Sequence, residues 1–178
     1  RTAERCQSLI QAGARTAPTA QEVAGQADWL VTVLSDGPST EALLLGELDQ
    51  QLAGRGVIQV ATIAPEQSQA LAAGVAERGG RYLEAPVLGS KPEALVGRLQ
   101  LMAGGEPEVF VAAEPLLKHL SEAPRHLGPV GSAMACKLAL NQLIASLTHA
   151  FSLSLHLVQS SGVDVESFMK ILRGSALY

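Results

Sequence analysis

Short apolar runs separated by polar helical stretches recur through the first two thirds of the chain. WLVTVL, residues 29–34, is nearly continuous and carries β-branched Val31, Thr32 and Val33. Such a run predicts a strand buried on both faces, as in a parallel sheet. VIQVAT at 57–62, RYLEAPV at 81–87 and RLQLMAGG at 98–105 repeat the pattern, and a short strand is expected around His126. Helices are expected over 41–52, 65–78 and 107–120. Pro38 and Pro65 suit first helical turns. The glycines at 79–80 stop the second of these helices, and Pro115 is expected to break the third. Before the first strand, 2–12 reads as a helix closed by Gly13, and Thr19 with Glu22 reads as the capping box of a short helix. Strand, turn and helix alternating at this spacing indicate βαβ units.

The rhythm changes at Ser132. From there to about Ser161 the pattern is helical with no stop, a length of about 45 Å at the standard rise. That is too long for a crossover in a small α/β domain, so it reads as a connector. Gly162 ends it, and Asp164 caps a last helix running to about Leu172. The expected division is an α/β domain over 1–127, then the connector and the start of an all-helical domain over 128–178.

Composition narrows the function classes. The 178 residues are 47% hydrophobic and 17% charged, with a formal net charge of −4. No basic run is present, which argues against a nucleic-acid surface. Three Phe, two Tyr and one Trp leave the core to Ala, Leu and Val. No run of 18 apolar residues is free of charge, so no membrane span is expected. Cys6 and Cys136 make neither a disulfide framework nor a metal cluster, and a reducing, cytoplasmic setting is expected. The four histidines have no ligand spacing, so no metal is expected.

Candidate chemistry concentrates on GPVGSAMACKLALNQL, residues 128–143. Lys137 and Asn141 are four apart and share a helix face. Two readings stand side by side. Lys137 is a lysine reaching along a helix edge to water, or it passes a proton to an oxygen-bearing substrate. Asn141 either bonds a neighbouring backbone group or binds substrate beside the lysine. In open α/β sheets, ligands bind at the carboxyl ends of strands. That rule nominates three loops: Ser35, Asp36, Gly37 and Pro38; Ala61, Thr62, Ile63, Ala64 and Pro65; and Pro86, Val87, Leu88, Gly89 and Ser90. Thr62 and Ser90 read equally well as helix caps. No GxGxxG and no phosphate-binding loop motif occurs.

RYLEAPVLGS, GRLQLMAGG and GPVGSAMACKLALNQL together resemble the β-hydroxyacid dehydrogenases, most of all their glyoxylate/succinic semialdehyde branch. The resemblance covers nearly the whole chain. It implies a Rossmann-type NAD(P)-binding sheet lacking its first βαβ strands, a long interdomain helix, and the start of an all-α dimerisation domain. It implies that Lys137 is the proton donor or acceptor and that Leu88, Gly89, Ser90 and Asn141 bind a small carboxylic substrate. The cofactor would touch Arg1, Thr2, Leu34, Ser35, Asp36, Pro38, Thr62 and Gly131. Arg1 and Thr2 match the end of a strand whose arginine favours a 2′-phosphate, implying NADP over NAD. A homodimer or homotetramer is implied, with no direct nucleic-acid or membrane partner. The chain departs from the family pattern at Leu88, where a serine usually meets the substrate carboxylate. A noncatalytic interaction relative and an inactive truncated fragment are the competing readings.

Overall fold

The computed structural model describes residues 3–175, with side chains from residue 6. It divides into two compact units, Arg1–Lys137 and Leu138–Tyr178.

In the first unit, α1 (Ala3–Gln11) and α2 (Ala20–Ala24) precede β1 (Trp29–Thr32). The Thr19 hydroxyl accepts from the Glu22 amide at 3.2 Å and caps α2. β1 pairs in parallel with β2 (Gly56–Gln59), and β2 with β3 (Arg81–Glu84). β5 (Gln100–Gly105) joins β3 antiparallel, β4 (Val87–Leu88) pairs antiparallel with β5, and β6 (Arg125–His126) runs parallel to β5. The sheet is therefore mixed, with a parallel core. The reversal lies between β4 and β5, since β3 and β4 both pair antiparallel with β5 in one continuous register. Proline cannot donate to a ladder, and the RYLEAPV run divides at Pro86 into β3 and the short β4.

Helices cover both faces. α3 (Gly37–Glu41) begins where predicted, with Pro38 in its first turn and Asp36 as its cap. It then widens into a π-helical turn over Ala42–Glu47, and a 3-10 turn spans Asp49–Gln51. The single regular helix expected over 41–52 is thus three short pieces. α4 is Pro65–Glu77 and α5 is Lys91–Leu95. α6, Pro107–Leu117, continues through Pro115 rather than breaking there. The ring removes the bond to the carbonyl of Val111 one turn back, and Val111, 64% exposed, stands on the solvent side of the helix.

Alternation along the strands sorts the core into two layers. Leu30, Val57 and Tyr82 pack with Leu44, Leu71, Val75 and Met134. Ile58, Leu83, Ala85, Leu101 and Ala103 pack with Ala113 and Leu117 of α6. Val31 and Val33, of opposite parity to Leu30, are 50% and 70% exposed.

α7 runs from Ser132 to Ser160 as a single 29-residue helix, as the unbroken pattern required. In the second unit its residues are exposed or partly exposed, among them Leu143, Ile144, Leu147, Phe151 and Leu157. α8 (Val165–Arg173) follows, and the Asp164 carboxylate caps it by accepting from the Ser167 amide at 2.8 Å. By length and composition alone, α7 is long and apolar enough to cross a bilayer. It also carries Lys137, Asn141, Gln142, His149 and His156, which are costly in lipid.

Candidate functional site

The first turns of α4 gather the segments that the strand-end rule nominated. Three consecutive residues there reach three different places. The Gln67 side chain lies against Gly37, where an added Cβ would stand 2.9 Å from Gln67 Cδ. Its Oε1 also accepts from the Ala64 amide at 3.1 Å. Ser68 donates to Glu84 Oε2 at 2.6 Å and lies 3.0 Å from the Tyr82 hydroxyl. Gln69 Nε2 donates to the Val130 carbonyl at 3.3 Å. The loop after β1, the loop before α4 and the turn at 128–131 are thereby brought to one end of the sheet.

Within the first loop, Leu34, Ser35, Asp36 and Pro38 are exposed. The Ser35 hydroxyl donates to Asp36 Oδ2 at 2.7 Å, and Asp36 Oδ1 accepts from the Ser39 amide at 2.8 Å. Thr62 is exposed between buried Ala61 and Ile63. Gly131 adopts φ +102° and Gly128 φ +131°, a conformation that L side chains rarely take. The Gly128 carbonyl accepts from the Gly105 amide at 2.9 Å, which fixes this turn to the end of β5.

The third loop is built differently. Leu88 is half-buried on β4, opposite Gln100. Gly89 has φ +130°, with Leu99 and Glu93 filling the space a side chain would need. Ser90 caps α5: its amide and hydroxyl donate to Glu93 Oε2 at 2.7 and 3.0 Å. Those bonds, the backbone amide first, hold the Glu93 carboxyl below the usual carboxylate range. Arg1 and Thr2 lie outside the described residues.

Lys137 is only 9% exposed, in the second turn of α7. Among the described residues it makes no ion pair. Asn141, one turn on, belongs to the second unit and is exposed.

Three residues that the sequence patterns did not single out stand in one row across the sheet. Thr32, Gln59 and Glu84 are register partners on β1, β2 and β3, and all are buried. Glu84 Oε1 accepts from the amides of Ala133 and Met134, at 2.8 and 3.2 Å, at the start of α7. The hydroxyl of Thr32 and both amide atoms of Gln59 have no partner among the described residues. A signal for Glu84 existed: a carboxylate inside an apolar strand has to be hydrogen-bonded. Its partners, 49 and 50 residues away, left no such signal.

A parallel-cored sheet with helices on both faces, and polar loops gathered at its strand ends, defines a Rossmann-type α/β domain. Residues 1–141 match the model of the NAD binding domain of 6-phosphogluconate dehydrogenase. The chain belongs to that family, within the β-hydroxyacid dehydrogenase-like group that its sequence resembles. It is 31% identical over 175 residues to glyoxylate/succinic semialdehyde reductase 1 of Arabidopsis thaliana, covering 97% of this chain and 61% of that protein. It is also 31% identical over 176 residues to the cytokine-like nuclear factor N-PAC of Danio rerio, covering 97% of this chain and 38% of that one. An imine reductase from Myxococcus stipitatus in complex with NADP+ superposes with a TM-score of 0.89 at 21% identity, over 97% of this chain and 61% of that one, which speaks to the fold alone. The chain thus spans 61% of the length of the plant reductase.

The residues present fit one part of a dinucleotide. Exposed Leu34, Ser35, Asp36, Pro38 and Thr62, with the turn at buried Gly131, stand at strand ends, where such cofactors bind. No glycine-rich helix start for a pyrophosphate lies within these 178 residues.

Proposed function

We propose that the full-length protein is an NAD(P)-dependent oxidoreductase that reduces a small semialdehyde or 2-oxoacid to its hydroxyacid, with Lys137 as proton donor. The observation that carries this reading is Lys137 itself. It is a lysine nine-tenths buried near the start of α7, without an ion pair among the described residues. A buried ammonium is costly to keep unpaired, and a substrate oxygen at that position relieves the cost. Family membership supplies the cofactor class.

When bound, NAD(P)H would supply a hydride, with its two electrons, to the carbonyl carbon. The carbonyl π bond breaks, and its electrons are taken up by the proton that Lys137 gives to the oxygen. An alcohol results, and the neutral amine regains its proton from solvent. In the oxidative direction Lys137 accepts the hydroxyl proton instead. Leu34, Ser35, Asp36 and Pro38 with Thr62 and Gly131 would hold the cofactor; Leu88, Gly89, Ser90 and Asn141 would bind the substrate. Arg1, matched to the arginine that follows the family's second strand, would meet the 2′-phosphate of NADP, with Thr2 beside it. A cytoplasmic homodimer or homotetramer is the setting that this reading carries.

A second reading, a noncatalytic interaction protein, draws on the similarity to N-PAC and on Leu88 in place of a polar residue. The full-length protein is assayed with NADPH and NADH against glyoxylate and succinic semialdehyde. Lys137→Met is expected to lower turnover about 10²–10⁴-fold with cofactor affinity little changed. Cofactor binding with no turnover on any carbonyl would favour the second reading.

A further inference from the structure

We propose that Glu84 is a positioning residue for Lys137, acting by gripping the start of the helix that carries it. This rests on the proton-donor reading of Lys137 given above.

A helix leaves its first amides without intrahelical partners, and the usual remedy is a side chain just before the helix. α7 has another arrangement. The residues leading into it, Gly128 to Gly131, form a turn in which the two glycines take positive φ. The acceptor comes from the end of β3 instead. One oxygen of Glu84 receives the amides of Ala133 and Met134 at 2.8 and 3.2 Å. A carboxylate here also meets the positive end of the helix dipole.

Glu84 is itself held. Its other oxygen accepts from Ser68 on α4 at 2.6 Å, and Ser68 lies 3.0 Å from the Tyr82 hydroxyl. Gly104, its register partner on β5, leaves it room: a Cβ there would stand against the carboxylate. The residue is wholly buried. The chain β3–Glu84–α7 is therefore a rigid link from the sheet to the helix.

Lys137 lies four residues beyond Ala133, on the same helical face one turn later. An anchor at Ala133 sets both the rotation and the advance of that face. A shift of about 1 Å in a reacting group can cost about 10²-fold in rate. Glu84 bonds Ser68, Ala133 and Met134 and acts on Lys137 through the helix.

The test compares Glu84→Ala, Glu84→Gln and Ser68→Ala in the full-length protein, beside Lys137→Met. Glutamine keeps an oxygen for the two amides, while alanine removes it. Glu84→Ala is expected to lower kcat about 10–100-fold, with KM and cofactor Kd within about threefold, and Glu84→Gln to restore most of kcat. Hydrogen exchange over residues 131–138 is expected to quicken in Glu84→Ala and to stay slow in Glu84→Gln.

A folded Glu84→Ala protein with unchanged kcat and unchanged exchange overturns the proposal. So does a loss in kcat that glutamine does not restore. If Glu84→Ala fails to fold, Ser68→Ala decides: quicker exchange over 131–138 with lower kcat supports the link, and wild-type behaviour overturns it. If Lys137→Met keeps full turnover, the proton-donor reading fails and the positioning role fails with it. The exchange data then report separately whether Glu84 grips the helix.

Discussion

Glu84 and Gly104 face each other across the β3–β5 pair, and the carboxylate of one occupies the space where the other would carry a Cβ. A buried carboxylate bonded to two helix amides and a hydroxyl has no free direction in which to retreat. Gly104→Ala is therefore expected to destabilise the fold by about 1–3 kcal/mol, as other overpacked cores do. For a chain of this size that corresponds to a fall in Tm of roughly 2–12 °C, readable by thermal denaturation. A Tm within 1 °C of wild type would show that Glu84 yields at no cost.

Gln69 reaches the Val130 carbonyl from the second turn of α4. Its amide nitrogen also lies 2.8 Å from where a Gly131 Cβ would stand. Gln69→Ala releases this side of the turn while β5 still holds Gly128. If Gly131 lines the cofactor, affinity for NADPH falls about 3–10-fold, the loss of a single hydrogen bond's worth of ordering. Fluorescence titration measures it, and unchanged affinity would remove the turn from the cofactor site.

Leu88 sits half-buried on β4, just before the positive-φ Gly89. A serine there offers a donor to a substrate carboxylate, an interaction of about 1–3 kcal/mol where it forms. Leu88→Ser is expected to raise kcat/KM for small semialdehyde acids roughly tenfold, mainly through KM. No gain across a panel of such acids would mark Leu88 as suited to a substrate without that carboxylate.

Acid and alkali act on different groups. The hydrogen bond from Arg78, at 2.6 Å, holds the Asp49 carboxyl below its ordinary range. The Ser167 backbone amide does the same for Asp164. As pH falls the unfolded chain takes up these protons first. Their contribution is therefore complete above about pH 4 and is lost as pH falls through the lower folded values. Tyr82 runs the other way: burial pushes its phenol above the ordinary value, with Ser68 opposing and Glu84 adding to the shift. Its contribution is complete below about pH 10 and declines as pH rises beyond that. Urea midpoints from pH 3 to 11 are expected to fall at both ends, and Tyr82→Phe is expected to flatten the alkaline limb. An alkaline limb unchanged by Tyr82→Phe would locate that sensitivity elsewhere.

Strand positions were legible because apolar runs have few alternatives. WLVT, GVIQ and RYLE fall where the pattern placed them, each somewhat shorter than its run. The long helix was legible for the same reason, having neither glycine nor proline from Ser132 to Ser160. The π-helical turn after α3 and the continuation of α6 through Pro115 were not. Neither has a local residue pattern that marks it: Ala42–Glu47 reads as ordinary helix, and Pro115 reads as a helix breaker.

The candidate site divides along the same line. The sequence by itself determined the loops at the strand ends, the glycine turn and the lysine in an apolar helix, because each is a local pattern of residue types. Only the tertiary structure decided that Gln67, Ser68 and Gln69 bind three separate segments, that β5 runs against β3, and that Glu84 grips α7. Those facts concern residues 14 to 61 positions apart in the chain. A hydrogen bond between such residues has no periodicity to read, since it is fixed by where the strands and helices come to rest.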